Sequence, residues 1–266
     1  MPTMPFPTHQ SMRRWSLARI IPIAEIELKS FWHLKSQLLS DLVIVPAVYL
    51  ALLAAGLGST VGDGDIATYL TFVLPGFLMM QAFGGFQRAI FRATIDRRWG
   101  LLALKRLLGA GGLGYVLAML VVPIISLLAK TVAITVLAIA LGVRMDARRY
   151  ITAILLTCIF LAFWTSLATI LTSLIRTYEQ RDIMLSLLIL PITFSAPVFY
   201  ALEDVPRYLR IVAFANPLSY QVMAVRRVFN GEHPGWWLMV AIVATVVAMI
   251  VAVWSVSRSE LLGAES

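Results

Sequence analysis

Residues 236–256, WWLMVAIVATVVAMIVAVWSV, run for 21 positions without a single Asp, Glu, Lys or Arg. As a helix such a run is ~30 Å long, the thickness of a bilayer's hydrocarbon core. In hydrocarbon, only a helix or a closed barrel satisfies every peptide N–H and C=O from within. The run therefore commits this part of the chain to a membrane-crossing helix, and similar runs recur along the sequence. Charged residues make up 14% of the whole and the mean hydropathy is +0.85, whereas about a quarter of residues are charged in soluble domains.

Six segments qualify as spans: 38–58, 69–91, 115–143 (interrupted by Pro123), 150–175, 183–200 and 236–256. The expected fold is all-α: a single polytopic domain over residues 1–266. It comprises an amphipathic N-terminal segment (1–37), a six-helix membrane part (38–256) and a short tail (257–266). The N-terminus carries cations but no uninterrupted apolar stretch leading to a small-residue cleavage site, so no cleavable signal peptide is expected.

Orientation follows from Lys and Arg. With the N-terminus in the cytoplasm, fourteen of the 22 cations fall on the inner side and seven on the outer, with Lys130 inside a span. That bias predicts both termini inside. The net charge of +8 is spread between apolar spans rather than gathered on one face, which suits anionic lipid headgroups and excludes a nucleic-acid partner.

Several chemistries lack parts. The single Cys158 lies in an apolar run, leaving no disulfide framework or thiol metal cluster. His9, His33 and His233 are dispersed, and no H-E-x-x-H or G-x-S-x-G occurs. Asp63 and Asp65 in the acidic loop GSTVGDGDIAT (58–68) match a short protease pattern, but that chemistry needs a second carboxylate facing it inside a span. No catalytic residue and no metal or cofactor site is expected. A G-x-x-x-x-G-K-[ST] loop is also absent, so the chain cannot cradle ATP in that way.

The stretch FRATIDRRWGLLALKRLL (91–108) places five cations and an indole between two spans. On a continuous helical wheel Arg98, Lys105 and Arg106 share one sector and Leu101, Leu104, Leu107 and Leu108 the opposite arc, with Trp99 at the border. That predicts a helix lying in the interface, either a docking element or a plain surface helix. A second interfacial candidate covers 21–37, where Glu25 and Glu27 suit the first turn and Lys29 and Lys35 the last.

Within the membrane, Lys130 lies ~22 Å along a helix entering at Tyr115. It reads either as a cation on a translocation path or as a snorkelling side chain. Pro191 and Pro197 precede the outer segment ALEDVPRYLRIVAFANPLSY (201–220), which suggests short helices dipping back into the outer leaflet. Phe194, Phe199, Tyr200, Phe214 and Tyr220 would line an exit there, or form an interfacial aromatic belt.

Three stretches carry a family resemblance. FVLPGFLMMQAF (72–83) looks like the PG-containing second span of type-2 ABC exporter permeases. DRRWGLLALKRLL (96–108) resembles their coupling segment, although this chain has Asp96 and Gly-Leu-Leu-Ala where the family usually carries Glu and Gly-Thr-Leu-Glu. ANPLSYQVMAVRRVF (215–229) is similar to their asparagine-proline-leucine motif. The resemblance implies a permease moving an amphiphile (a drug, antibiotic, lipid or lipid-linked glycan) in a bacterial inner membrane. A separate ATPase subunit, in two copies, would bind ATP and Mg, and a second permease copy or a sister permease would complete the path. The coupling residues it implies are Asp96, Arg97, Arg98, Trp99, Gly100, Leu101, Lys105 and Arg106, helped by the RTYEQRD turn (176–182). The path or outer gate would involve Lys130, Phe194, Phe199, Tyr200, Asn216, Pro217 and Tyr220. Two other classes stay open, an ion-coupled carrier and a non-transporting scaffold, and the scarcity of acidic groups in the spans weighs against the carrier.

Overall fold

A computed structural model describes residues 48, 66–102, 105, 111–175 and 177–262. Seven helices, and no strands, are found among them: α1 (Ile66–Arg98), α2 (Gly112–Ala140), α3 (Ala147–Leu171), α4 (Tyr178–Ser195), α5 (Arg207–Ala215), α6 (Pro217–Asn230) and α7 (Gly235–Leu262). Four of them, α1, α2, α3 and α7, are long and apolar enough to cross a membrane. The expected first span and the N-terminal interfacial helix lie outside the described residues.

The helix limits follow from local chemistry. The Asp146 carboxylate accepts from the Arg149 N–H to start α3, and Thr177 accepts from the Gln180 N–H to start α4. Asn216 accepts from the Leu218 N–H while Pro217, which has no N–H to satisfy, opens α6. Gly231, at φ +78, closes α6, and the following Glu232 N–H donates back to the Arg227 carbonyl at 2.8 Å. Inside the apolar helices, Thr94, Thr157, Thr165, Thr169 and Thr245 each donate to the carbonyl one turn earlier, so no hydroxyl among them needs water.

Two expected spans differ from the helices found. Span 69–91 is part of a longer rod: α1 continues to Arg98 and absorbs the first half of the stretch read as a separate docking helix. Nothing between Phe91 and Arg98 breaks a helix, and Arg97 and Arg98 suit its negative C-terminal end. Span 183–200 ends early, at Ser195, where the chain leaves the helix at Ala196. Its helix starts earlier, at Tyr178, with Glu179, Arg181 and Asp182 in its opening turns. The apolar part, 183–195, is only ~20 Å long at 1.5 Å per residue. Pro123 does not split α2, which stays one helix of 29 residues.

The core lies between α1 and α3. Trp164 packs edge-on against Phe83 (4.6 Å between centroids), Phe86 (5.8 Å) and Phe163 (4.9 Å), arrangements that aromatic quadrupoles favour. Small residues bring helices close. A Cβ on Gly85 would stand 2.7 Å from Leu161 Cδ1, so the Leu161 side chain lies against α1 in the place a larger residue would need. Gly112 plays the same part between α2 and α7, where a Cβ would meet the Val253 carbonyl oxygen at 2.7 Å.

The bundle has two ends. Ala93, Leu102, Tyr115, Met119 and Val256 cluster at one, where α1 finishes and α2 begins. At the other, α6 reaches Arg149 near the start of α3, whose guanidinium donates to the Asn230 carbonyl at 3.3 Å. From there α6 runs back to Gln221, which accepts from the Trp164 indole at 2.8 Å, ~26 Å along α3 from Ala147. Helix α6 therefore occupies the slot between α1, α3 and α7, with α5 beside it against α4.

Candidate functional site

At the Arg98 end, α1 stops because Gly100 takes φ +69, a conformation costly for any residue with a Cβ. The turn Trp99–Gly100 is exposed, Trp99 at 74%. The Trp99 indole donates to the Tyr178 hydroxyl at 3.2 Å, and the Arg98 guanidinium lies 4.3 Å over the Tyr178 ring. Arg181 covers the Phe91 ring at 4.0 Å. The end of α1 and the start of α4, 79 residues apart in sequence at the Trp99–Tyr178 bond, form one cationic and aromatic surface. This juxtaposes the two stretches that the sequence singles out as partners in coupling.

Asp96 faces the other way and is 0% exposed. One carboxylate oxygen accepts from the Lys105 ammonium at 2.5 Å and from the Tyr115 hydroxyl at 3.1 Å; the other is 3.7 Å from Arg92 Nε. Lys105 is buried as well, its ammonium 5.5 Å from the Tyr115 ring centre. The expectation that Lys105 shares an outward sector with Arg98 is thus corrected. The positive φ at Gly100 resets the helical phase, so a wheel drawn through 98–106 as one helix misplaces Lys105. Asp96, Lys105 and Tyr115 instead form a clasp that holds Lys105 against α1 and α2. Leu101 is half-buried, Arg97 is partly buried, and Arg106 lies outside the described residues.

Lys130 lines a shallow, partly open cleft between α1 and α2 together with Gln81, Gly84, Arg88 and Ser126. The Arg88 guanidinium donates to Ser126 Oγ at 3.4 Å.

Near the other end, the expected gate residues fall into separate groups. Phe194 is 69% exposed on α4, pointing away from the rest. Asn216 is buried at the α5–α6 corner; its amide donates to the Ile192 carbonyl at 2.7 Å and to Ser195 Oγ at 2.9 Å, which ties that corner to the end of α4. Tyr200 donates back to the Ser195 carbonyl, and the Phe199 carbonyl accepts from Tyr69 on α1. Tyr220 donates to the Phe214 carbonyl, and the rings of both pack with Trp236 and Trp237, which stack at 4.0 Å. One aromatic vestibule is therefore not formed within this chain by the five rings named from sequence: Phe214 and Tyr220 join two tryptophans that sequence reading treated only as the start of a span.

Sequence reasoning also missed Arg226, which it counted only among the seven outer-side cations. Arg226 is buried; it donates to the Pro197 and Val198 carbonyls at 2.7 and 2.9 Å and to the Phe72 carbonyl at 3.2 Å, with its guanidinium 3.9 Å over the Phe72 ring. Gly76 lets the 197–198 backbone approach, since a Cβ there would stand 3.0 Å from it. The signal for this residue was a cation on an amphipathic helix directly after a capping Asn-Pro, one turn from the apolar Val222.

The described residues thus form an all-helical bundle with a cationic turn at one end and, near the other, the helix pair α5–α6, of which α6 is packed into the bundle. Residues 21–230 match the family model of the ABC-2 type transporter, and the chain belongs to that family. It is 25% identical over 241 residues to the inner membrane transport permease YadH of Escherichia coli K12, covering 86% of this chain and 90% of that protein. It is 28% identical over 243 residues to the daunorubicin resistance ABC transporter permease protein DrrB1 of Streptomyces coeruleorubidus, covering 86% and 80%. The chain is an ABC transporter permease, a transmembrane transport subunit.

Proposed function

We propose that this chain forms half of an export path in a bacterial inner membrane, with both termini in the cytoplasm. A separate ATPase subunit, two copies per complex, docks on the Arg98–Trp99–Gly100 turn and the adjoining Tyr178–Arg181 turn and binds the ATP and Mg. A second permease, identical or related, completes the path, and an amphiphile crosses from the inner side. The single observation that carries this reading is the shared surface at the Arg98 end, where Tyr178 joins Trp99 and Arg98 and the Asp96–Lys105 clasp holds the turn from behind.

The route for force is α1. It is one helix from Ile66 to Arg98, so a push on the turn is delivered ~39 Å away at Phe72, where Arg226 grips it. Arg226 also holds the 197–198 segment, and Asn216 ties the hairpin corner to the end of α4. Tilting α1 therefore shifts α5–α6 as a unit, the kind of rigid-element motion by which a permease alternates its access. The DrrB1 relative is named for daunorubicin resistance, which supports the outward direction.

Reconstitution in vesicles tests the reading. Permease together with an ABC ATPase subunit that co-purifies with it is expected to move a fluorescent amphiphile only with hydrolysable ATP, and neither subunit alone is expected to do so. Transport by the permease alone under a proton gradient would replace this reading with the ion-coupled carrier.

A further inference from the structure

Arg144, Arg148 and Arg149 crowd into the short connection between α2 and α3 and the first turn of α3, on the side where the cation count places the minority of charges. All three are exposed, and among the described residues the Arg144 and Arg148 side chains make no hydrogen bond or ion pair. Arg149 is held: its guanidinium donates to the Asn230 carbonyl and lies over Gly231, where a Cβ would collide with it. The acids at this level have other partners, Asp146 accepting from the Arg149 N–H and Glu232 lying 4.0 Å from Arg227. Beneath the arginines both helices are apolar and open. Val132, Val136 and Ile139 on α2 and Ile151, Leu155 and Ile159 on α3 are exposed, and a bond between the Thr135 and Tyr150 hydroxyls, 2.6 Å long, joins the two helices there. The exposure stops halfway down: α2 has no exposed residue from Gly112 to Ile124, and α3 has none from Phe160 to Thr172. From Arg148 to Ile159 is ~16 Å along the axis, against ~15 Å for the hydrocarbon of one leaflet. An exposed indole, Trp236, marks the headgroup level independently, and its neighbour Gly235 lies beside Arg227 at the same end of the bundle.

We infer that this end of the α2–α3 hairpin seats an anionic phospholipid of the surrounding leaflet, with its phosphate on Arg144 and Arg148 and its acyl chains along the two apolar stripes. A guanidinium presents paired N–H donors that match a phosphate, and it keeps its charge at any physiological pH. Arg148 and Arg149 stand in the first turn of α3, where cations oppose the helix dipole, so a phosphate beside them offsets that repulsion as well as the repulsion between the arginines. Charge and depth together select the occupant. A soluble anion makes no use of a stripe one leaflet deep, and a zwitterionic lipid brings a cation of its own against the arginines. With the topology proposed above this is the outer leaflet. The inference needs the membrane bundle, but neither the ATPase nor the cargo.

Quenching by brominated acyl chains reads which lipid sits at one position. The full-length chain carrying Cys158→Ala and Leu155→Cys, labelled with bimane at the introduced thiol, is placed in nanodiscs that mix brominated and unbrominated lipids, and the relative affinity of phosphatidylglycerol and phosphatidylcholine at the label is measured. Phosphatidylglycerol is expected to be preferred about five-fold or more, as two arginines at the headgroup level allow. No such preference is expected at a label introduced by Val246→Cys on the charge-free part of α7. Arg144→Gln/Arg148→Gln should bring the preference at position 155 to within about two-fold without lowering the unfolding temperature, because neither side chain holds the fold. The same loss of charge elsewhere, by Arg207→Gln/Arg258→Gln, should leave it intact. Equal affinity for the two lipids at position 155, an equal preference at position 246, or a preference that survives Arg144→Gln/Arg148→Gln overturns the inference. Loss of the preference in excess inorganic phosphate, but not in sodium chloride of the same ionic strength, overturns a lipid as the occupant.

Discussion

Asp96→Asn is expected to reduce amphiphile-stimulated ATP hydrolysis in the permease–ATPase complex at least ten-fold while the chain still inserts. The carboxylate is fully buried, and its partner Lys105 is nearly so, with 4% of its side chain exposed. Neutralising one member of such a pair leaves an ammonium in a low-dielectric site, at a cost of about 3–5 kcal/mol, whereas replacing both members by well-packed apolar residues is often neutral. The segment after Gly100 would escape that cost by swinging Lys105 out to water, and the turn would lose its backing. The double variant Asp96→Leu/Lys105→Met separates the alternatives. If the clasp works as a tether, apolar packing in its place should restore both thermal stability and most of the stimulated ATPase activity. Full coupling in Asp96→Asn would show that the turn does not depend on the clasp.

Arg226→Ala should have the largest effect on stability. It leaves three carbonyls, those of Phe72, Pro197 and Val198, without the donor they share. At about 1–3 kcal/mol for each buried group left unsatisfied, the loss is about 3 kcal/mol or more. At roughly 2–4 °C per kcal/mol for a chain of this size, the unfolding temperature in detergent should fall by about 6–12 °C. Arg226→Lys should recover only part, because one ammonium cannot match the spread of a planar guanidinium over three acceptors. An unchanged unfolding temperature in Arg226→Ala would remove the clasp at Phe72 from the account, and with it the route by which α1 moves the hairpin.

The long helices were legible because hydrocarbon leaves the backbone no alternative. Charge-free runs such as 236–256 could form little else, and Asn216 followed by Pro217 marks the start of α6. The errors arose where tertiary contacts outweigh local pattern. Helical periodicity cannot register a single positive φ at Gly100, and so it turned Lys105 outward when Asp96 and Tyr115 draw it inward. A count of cations by loop cannot distinguish Arg226, whose donors serve carbonyls from two distant segments, from Arg227, which lies 4.0 Å from Glu232 near the surface. The aromatic set near the far end was recognised by composition, but its grouping depended on helix directions: Phe194 faces outward on α4, while Trp236 and Trp237 turn toward Phe214 and Tyr220. Gln81 and Arg88 gave no sequence signal that they share a wall with Lys130, because they lie on a different helix, whereas Ser126, one turn before Lys130 on α2, shares its face by helical spacing.

The central claim is that an ATPase subunit pushes on the exposed turn at the end of α1. Its most direct test is a bifunctional maleimide with a short spacer, applied to inside-out membrane vesicles that contain the co-expressed ATPase and a permease carrying Trp99→Cys with Cys158→Ala. The account predicts a cross-linked species of permease plus ATPase through the thiol introduced at position 99, and none when the thiol is placed instead at position 208 on α5 by Tyr208→Cys. Reaction of the position-99 thiol only with reagents added from the periplasmic side, or cross-linking to the ATPase through position 208 instead, would contradict it.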